Sequence, residues 1–273
     1  MASAQATAEQ VERILAARSK NRLFRSLFYV IVLALVVWSV NTTIVEDTDW
    51  KRMGSVSSVL ESVAEFIGFD FGLFPNLLEP AIETIMVATL GTLLGVVICV
   101  PAIWFGALNI TPFMPITYPV ARLMMTLSRS IHEIVWALFF VAAVGLGALA
   151  GVLAIAVRSV GFIAKLSAEA IEDLDHRPVE AIRAVGGNEF QVFIYAILPQ
   201  VLPTMIGVII FEWEINIRRS SILGLVGAGG LGLVFFRQLN TFNYPGVTTV
   251  IVAILILILF GEIVSHLVRK AII

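Results

Sequence analysis

The chain has 273 residues, of which 59% are hydrophobic and only 14% are charged, and its net charge is −2. An average soluble protein carries about 25% charged residues, so this composition excludes an ordinary soluble domain and a basic surface for nucleic acid. The single cysteine, Cys99, excludes an intrachain disulfide, and three histidines give little support for a metal site. Several apolar runs approach the roughly 20 residues that cross a bilayer, so we predict an all-α polytopic membrane protein with about six transmembrane helices.

The N-terminal part of the chain divides into three segments. Residues 1–25 are polar and basic and are predicted to form a cytoplasmic tail. Residues 26–45 contain a short apolar run that resembles a signal peptide, but no small-residue cleavage site follows, so we predict an uncleaved first transmembrane helix. Residues 46–78 are acidic and are predicted to be extracytoplasmic, with an interfacial helix from Val56 to Phe66, where apolar residues recur at helical spacing.

Five further spans are predicted within residues 79–270, which form the transmembrane core. They cover approximately residues 82–105, 120–144, 148–170, 201–223 and 247–267. In the first of them, Gly91 and Gly95 form a Gly-x-x-x-Gly face that permits close helix packing. Six spans place both termini and the loop of residues 172–199 on the same side of the membrane. Basic residues near both ends predict that this side is the cytoplasm, as in a multi-pass protein of the cell (inner or plasma) membrane.

The loop of residues 172–199 is a polar segment between two apolar ones. Asp175 can cap a helix that has Pro178 in its first turn, and the Gly186–Gly187 pair interrupts that helix further on. The Leu198–Pro199 pair then opens the next apolar segment. The pattern predicts two short helices joined at a glycine bend and held outside the bilayer, where a soluble partner can bind them. An ordinary polar loop between two helices is the alternative.

The segment Gly227–Gly232 matches the literal Gly-x-Gly-x-x-Gly pattern of dinucleotide-binding loops. No alternating strand precedes these glycines, and no aspartate occurs after Asp175 that could bind a ribose. We therefore predict no nucleotide site. The glycines are expected to belong to an outer loop that ends near Gly246 and lets the backbone pack tightly.

Charged residues inside the predicted spans are costly in a bilayer and usually face a partner or a water-filled path. Helical geometry sorts the charges of the fifth span into two stripes. Glu214 and Arg218 are four residues apart and can pair on one helix face, and Glu212, Asn216 and Arg219 lie along a neighbouring face. The candidate residues of a substrate pathway are Arg158 in the fourth span and Glu212, Glu214, Asn216, Arg218 and Arg219 in the fifth. Two interpretations stay open: a self-neutralised packing cluster, or a polar lining for an anionic substrate in which an arginine supplies the charge. His132 and the adjacent Glu133 are expected to make a polar interhelical contact.

The polar loop carries a recognisable pattern. Glu180-Ala181-x-x-x-x-Gly186, followed by Leu198-Pro199, resembles the EAA loop of ABC importer permeases, although Ile182 stands where a second alanine is usual. In that family the loop is the coupling helix that docks into a groove on the ATPase subunit. The resemblance implies that the residues of ATPase coupling are Glu180, Ala181, Arg183, Gly186, Gly187, Leu198 and Pro199.

Three other segments resemble the phosphonate/phosphite branch of these permeases: Arg129–Glu133, Phe211–Arg218 and Gly224–Gly230. The resemblance covers roughly residues 79–270 and implies a five-helix ABC importer permease core plus one N-terminal helix. It also implies the partners: a second copy of the permease, two ATP-binding subunits, an extracytoplasmic substrate-binding protein and membrane lipid. ATP and Mg are then bound by the partner ATPase, and this chain has no cofactor, metal or catalytic site.

The expected function is the import of phosphonate or a related phosphorus oxyanion (phosphite, hypophosphite or phosphate) by alternating access. A permease for another small solute, such as an amino acid, remains open. So does a secondary transporter or channel without an ATPase, although the six spans of such a protein would often show an internal repeat, and no convincing repeat is present. A membrane enzyme is the weakest alternative, because no nucleophile–base or metal-ligand spacing stands out.

Overall fold

The computed structural model describes the chain at residue 22, over residues 24–47 and over residues 55–272, without the side chains of residues 56 and 62. Helices joined by turns make up this part of the chain, and no strand occurs in it. This confirms the predicted all-α fold class. Most of the predicted tail, residues 1–25, lies outside the described residues.

The chain divides into two units, and the first is Met1–Val63. Helix α1, Phe24–Glu46, ends in a π turn at Asn41–Glu46 and is long and apolar enough to cross a membrane. Its large apolar side chains are exposed, which suits a helix surrounded by lipid. Helix α2, Val56–Glu65, matches the helix predicted from the spacing of apolar residues.

The second unit, Ala64–Ile273, contains the remaining helices. After a 3₁₀ turn at Phe74–Leu77, they are α3 (Leu78–Gly106), α4 (Met114–Ser130), α5 (Glu133–Val144), α6 (Ala148–Glu172), α7 (His176–Ala184), α8 (Glu189–Val192), α9 (Leu198–Leu223), α10 (Gly230–Asn240) and α11 (Tyr244–Ile272). A π turn joins α8 to α9. In the described part of the chain, five helical segments are long and apolar enough to span a membrane, or six if α4 and α5 together count as one span.

The third predicted span, residues 120–144, is not one straight helix. Helix α4 ends at Ser130, α5 begins at Glu133, and their axes differ by 91°. The break has a local cause, because Ile131 and His132 have extended backbones. The side chain of His132 accepts a hydrogen bond from Ile134 N at 3.3 Å and so caps α5. Helix periodicity carries no information about such a two-residue interruption.

Helix α6 lies at the centre of the second unit and packs against α3, α4, α5 and α9. A Cβ atom added to Gly91 would lie 2.6 Å from Ile155 Cγ2, and one added to Gly95 would lie 2.8 Å from Ser159 Cβ. The predicted close contact at the Gly-x-x-x-Gly face is therefore confirmed, and its partner is α6. Gly161 of α6 brings the same helix close to α4, where its added Cβ would lie 2.6 Å from a backbone oxygen.

The predicted outer glycine-rich loop contains a helix of its own, α10, which the sequence analysis did not predict. The run of glycines at its start packs on α3, where Gly230 N donates to Glu83 Oε2 at 2.8 Å and Leu231 N donates to Thr84 Oγ1 at 2.9 Å. Gly229 has φ +83°, and an added Cβ would lie 2.4 Å from Glu83. These contacts hold the glycine run close to α3.

The C-terminal ends of α3 and α6 meet at one end of the second unit. Leu108 N donates to Glu172 Oε1 at 2.9 Å, and Asn109 Nδ2 donates to Ile171 O at 3.0 Å. Arg122 Nη2 pairs with the same carboxylate oxygen of Glu172 at 2.7 Å. Because α7 follows directly after this junction, the segment that joins α3 to α4 and the loop of residues 172–199 lie at the same end of the core.

Candidate functional site

Helix α9 carries most of the charge inside the core, and it sorts that charge onto two faces. Glu214 and Arg218 pair at 2.6 Å between Oε1 and Nη2, as their spacing of four residues predicts. Glu212, Asn216 and Arg219 share the neighbouring face, where Arg219 Nη1 lies 2.6 Å from Glu212 Oε1. The sequence prediction of two stripes on this helix is confirmed.

The second stripe is part of a larger cluster, the α9 network, which consists of Glu212, Asn216 and Arg219 from α9, Arg158 from α6 and Glu133 from α5. Arg219 Nη1 also donates to Asn216 Oδ1 at 2.9 Å. Arg219 Nε lies 3.6 Å from Glu133 Oε1, and Arg158 Nε lies 3.6 Å from Glu133 Oε2. Glu133 therefore stands between the two arginines. Two arginines and two glutamates leave the network without net formal charge.

Small polar side chains anchor the α9 network to α3 and α6. Asn216 Nδ2 donates to Thr92 Oγ1 at 2.9 Å and to Ser159 Oγ at 2.8 Å, and Ser159 Oγ donates to Glu212 Oε1 at 3.1 Å. The side chain of Glu212 is 0% exposed. Among the described residues, its Oε2 has no hydrogen-bond partner, and neither does the buried Nε of Arg158. The network thus keeps one acceptor and one donor unused inside the core.

The first stripe of α9 joins α11 in a second group, the Glu214 cluster, which contains Glu214, Arg218, Ser265 and Arg269. Glu214 Oε2 accepts from Ser265 Oγ at 2.8 Å and from Arg269 Nη2 at 2.9 Å. Both arginines are more than one third exposed, whereas Glu214 is 7% exposed. The buried Glu214 carboxylate therefore pairs with two arginines and connects α9 to the C-terminal part of α11.

The sequence predicts the charged residues of α9 but not most of their partners on other helices. The expected polar interhelical contact is confirmed for Glu133, which lies 3.6 Å from Arg158 of α6 and from Arg219 of α9. His132 instead caps α5 and has an exposed side chain. The contacts of Arg269 with Glu214 and of Ser159 with Glu212 are not predicted from the sequence. A serine or a terminal arginine carries no periodic signal, so only the helix packing reveals these contacts.

The α7–α8 element, His176–Val192, forms the two short helices that the sequence predicts. Asp175 caps α7 by accepting from Arg177 N at 3.0 Å, and Gly186 makes the bend with φ +86°. A reciprocal capping box starts α8, where Asn188 Oδ1 accepts from Gln191 N and Gln191 Oε1 accepts from Asn188 N, both at 2.9 Å. The bend is therefore held by local hydrogen bonds.

An exposed ion pair spans the bend. Arg183 Nη2 lies 2.8 Å from Glu189 Oε2, and Arg183 Nε donates to Glu189 Oε1 at 3.1 Å. The hydrogen bonds and charge of Arg183 lower the pKa of Glu189, and Glu189 raises the pKa of Arg183 in the same way. Because both side chains are mostly exposed, solvent screens this pair.

The outer surface of the α7–α8 element is unusually apolar for a polar loop. Val185 and Phe190 are 82% and 70% exposed, and Tyr195 of the following π turn is 68% exposed. None of the predicted coupling residues is buried: Glu180, Ala181, Arg183, Gly186 and Pro199 are exposed, and Gly187 and Leu198 are half-buried. Exposed aromatic and aliphatic side chains beside charges are typical of a protein-binding surface.

Comparison with known proteins agrees with this geometry. Residues 92–273 match the family described as binding-protein-dependent transport system inner membrane component. The phosphite transport system permease protein PtxC of Stutzerimonas stutzeri is 37% identical over 218 residues, which cover 80% of this chain and 79% of that protein. The putative phosphite transport system permease protein HtxC of the same organism is 31% identical over 268 residues, which cover 96% and 93%.

Among solved structures, an inward-facing conformation of the MetNI methionine ABC transporter matches with a TM-score of 0.66 and 21% identity, covering 75% of this chain and all of that chain. At this identity the similarity shows the fold. Fold and relatives together define a permease subunit of an ABC importer. The chain belongs to the binding-protein-dependent transport system inner membrane component family, and within it to the phosphite/phosphonate type.

Proposed function

We propose that this permease imports phosphite, a phosphonate or a related phosphorus oxyanion such as hypophosphite or phosphate. Two relatives, each covered over at least 79% of its length, carry phosphite in their names. The observation that carries the proposal is the pair Arg158 and Arg219, which lies inside the core on either side of the Glu133 carboxylate. Guanidinium groups bind tetrahedral oxyanions well because their N–H donors are planar, fixed and always charged.

In this proposal, Arg158 and Arg219 contact the anion transiently during alternating access. An oxyanion that leaves water must exchange its hydration shell for protein donors, and an unpaired charge within the bilayer is costly. Glu212 and Asn216 orient Arg219, so its donors are in place before the anion arrives. Arg218, with Glu214 on the neighbouring face of α9, supplies further positive charge along the path.

The ATPase-coupling part of the proposal concerns the α7–α8 element. Val185 and Phe190 are exposed anchors for a hydrophobic groove on an ATP-binding subunit, and Glu180 and Arg183 supply charged contacts at their edge. The π turn makes α8 nearly continuous with α9, so a displacement of this element reaches the arginine-bearing helix directly. ATP and Mg are bound on the partner, where the ATP is hydrolysed, and the membrane chain contributes no catalytic group.

The proposed assembly contains two copies of this permease, two ATP-binding subunits and an extracytoplasmic binding protein. The described part of the chain offers one α7–α8 element, so two ATPase subunits require two permease copies. Crosslinking of the purified complex is expected to give a permease dimer. A complex with only one permease chain would contradict this stoichiometry.

The test of function is uptake by the complex reconstituted in vesicles with its ATPase and binding protein. Phosphite and methylphosphonate are expected to enter only when ATP is hydrolysed, and methionine is the control for an amino-acid permease. Glutamine at Arg158 or Arg219 keeps hydrogen-bond donors but removes charge, and it should reduce uptake while the affinity of the binding protein stays constant. Uptake of methionine alone, or of the oxyanion without an ATPase, would overturn the proposal.

A further inference from the structure

The two carboxylates of the α9 network are held very differently. Glu212 makes a charge-assisted hydrogen bond of 2.6 Å to Arg219 and accepts a second hydrogen bond from Ser159. The contacts of Glu133 with the two arginines are both 3.6 Å, which is beyond hydrogen-bond distance, and His132 Nδ1 lies 3.8 Å from its Oε2. Glu212 is a fixed part of the network, and Glu133 is its loosely held anion.

Glu133 also lies where the backbone can move it. It is the first residue of α5, directly after the break at Ile131–His132 where the helix axis turns by 91°. The free N–H groups of the first turn of α5 favour a carboxylate at this end, whether Glu133 lies beside the arginines or is withdrawn from them. A small rotation of α5 at the break would withdraw Glu133, whereas Glu212 lies within the continuous helix α9.

The arrangement around Glu133 is one that a small oxyanion can reproduce. One carboxylate oxygen faces Arg219 Nε and the other faces Arg158 Nε, so two oxygens of one anion meet two guanidinium groups. The Nε of Arg158 is buried and has no hydrogen-bond partner among the described residues. An oxygen that came closer to Arg158 Nε than Glu133 does would therefore satisfy this donor.

Charge balance points to an exchange of anions. With Glu133 in place, Arg158 and Arg219 are neutralised by Glu133 and Glu212. When Glu133 withdraws, one positive charge is uncompensated in the core, which is costly unless another anion replaces it. We infer that Glu133 is an internal anion that occupies the arginine pair in the empty permease and is displaced by the transported oxyanion. The inference rests on the proposed function for the identity of that oxyanion.

The experiment measures equilibrium anion binding to the complex, with its ATPase subunits, in lipid nanodiscs. The probes are phosphite, methylphosphonate, sulfate and acetate. Glu133→Gln keeps the shape of the side chain but removes the competing charge, so at least one probe should bind about tenfold more tightly than to the parent. The matched control is Glu262→Gln, which makes the same change at an exposed position of helix α11. It should bind all four probes as the parent does.

Transport kinetics provide an independent readout. Without its competitor the cargo should leave the arginines slowly, so Glu133→Gln is expected to lower both KM and kcat for uptake. If this variant does not assemble, Glu133→Asp is measured instead. Its shorter side chain reaches the two arginines less well, and the same direction of change is expected.

The outcomes separate this inference from the proposed function. Tighter binding of sulfate or acetate by the variant, together with a parent complex that imports no phosphorus oxyanion, would support the role of Glu133 and reject the proposed cargo. Normal phosphite import, together with no gain in affinity for any probe, would overturn the inference and leave the cargo standing.

Discussion

The α9 network and the α7–α8 element contain the same chemical pair in opposite surroundings. Arg219 and Glu212 meet at 2.6 Å with side chains 13% and 0% exposed, and Arg183 and Glu189 meet at 2.8 Å with side chains 52% and 78% exposed. Water screens and replaces the exposed pair, whereas the buried pair has no alternative partner of equal strength. We therefore expect loss of the Arg219–Glu212 pair to reduce the stability of the fold much more than loss of the Arg183–Glu189 pair.

The largest expected effect follows from breaking the buried pair. Arg219→Leu leaves Glu212 fully buried without its guanidinium, and losing one partner of a buried pair costs about 3–5 kcal/mol. The purified permease should unfold at a markedly lower temperature. Arg183→Leu makes the same chemical change in the exposed pair and serves as the control. Equal melting temperatures for the two variants would show that burial does not distinguish the pairs.

A second comparison concerns two glycines, one in each region. Gly161→Ala places a Cβ 2.6 Å from Met125 O and 2.5 Å from Ser128 Oγ, so α4 and α6 must separate. Overpacking of this kind costs about 1–3 kcal/mol, and thermal unfolding should show it. Gly186 has no atom within 4 Å of an added Cβ, so Gly186→Ala should act only through its backbone. A larger loss of stability in Gly186→Ala than in Gly161→Ala would contradict the packing argument.

A third prediction concerns coupling. At φ +86°, Gly186→Val is strained by at least about 1–2 kcal/mol, because a β-branched residue fits the left-handed region poorly. The bend should change while the transmembrane core stays folded, so substrate-stimulated ATP hydrolysis and uptake should fall together. Gly186→Asn is the matched control, since asparagine tolerates this region. Equal activity of the valine and asparagine variants would show that the conformation of the bend at Gly186 does not affect coupling.

The smallest effect is expected for the exposed ion pair and depends on pH. Because Arg183 lowers the pKa of Glu189 in the folded chain, the stabilisation is fully present above the ordinary glutamate pKa and is lost as the pH falls through the lowered value. Hydrogen exchange of α7 and α8 should therefore keep its protection from neutral pH into the mildly acidic range and then lose it. In Arg183→Gln this acid-dependent loss should shrink. An unchanged profile would show that the pair does not stabilise the bend.

Much of the α7–α8 element could be predicted from sequence because its structure is local. Asp175 caps the helix that follows it, Gly186 takes the conformation that favours glycine, and the next helix starts a few residues later. Each of these features depends on residues within one or two turns. The coupling roles of Glu180 and its neighbours remain predictions, because the ATPase surface they would contact belongs to another chain.

The charged residues of α9, which belong to the α9 network and the Glu214 cluster, were only partly predictable. Residues on one helix have fixed relative positions, so the pairing of Glu214 with Arg218 and the shared face of Glu212 and Arg219 followed from spacing alone. Whether the network lines a substrate path is still a proposal. Its contacts with other helices depend on which elements pack against α9, and helical periodicity does not encode that choice.

The sequence by itself determined the membrane class, the helical fold and the bent polar loop, because hydropathy, periodicity and glycine conformation act over short stretches of chain. Only the tertiary structure decided that α4 and α5 meet at 91° and that α10 packs its glycines on α3. It also placed Glu133 between two arginines from separate helices. The physical reason is that a buried charge takes the partner that packing provides, and packing is set by all the helices together.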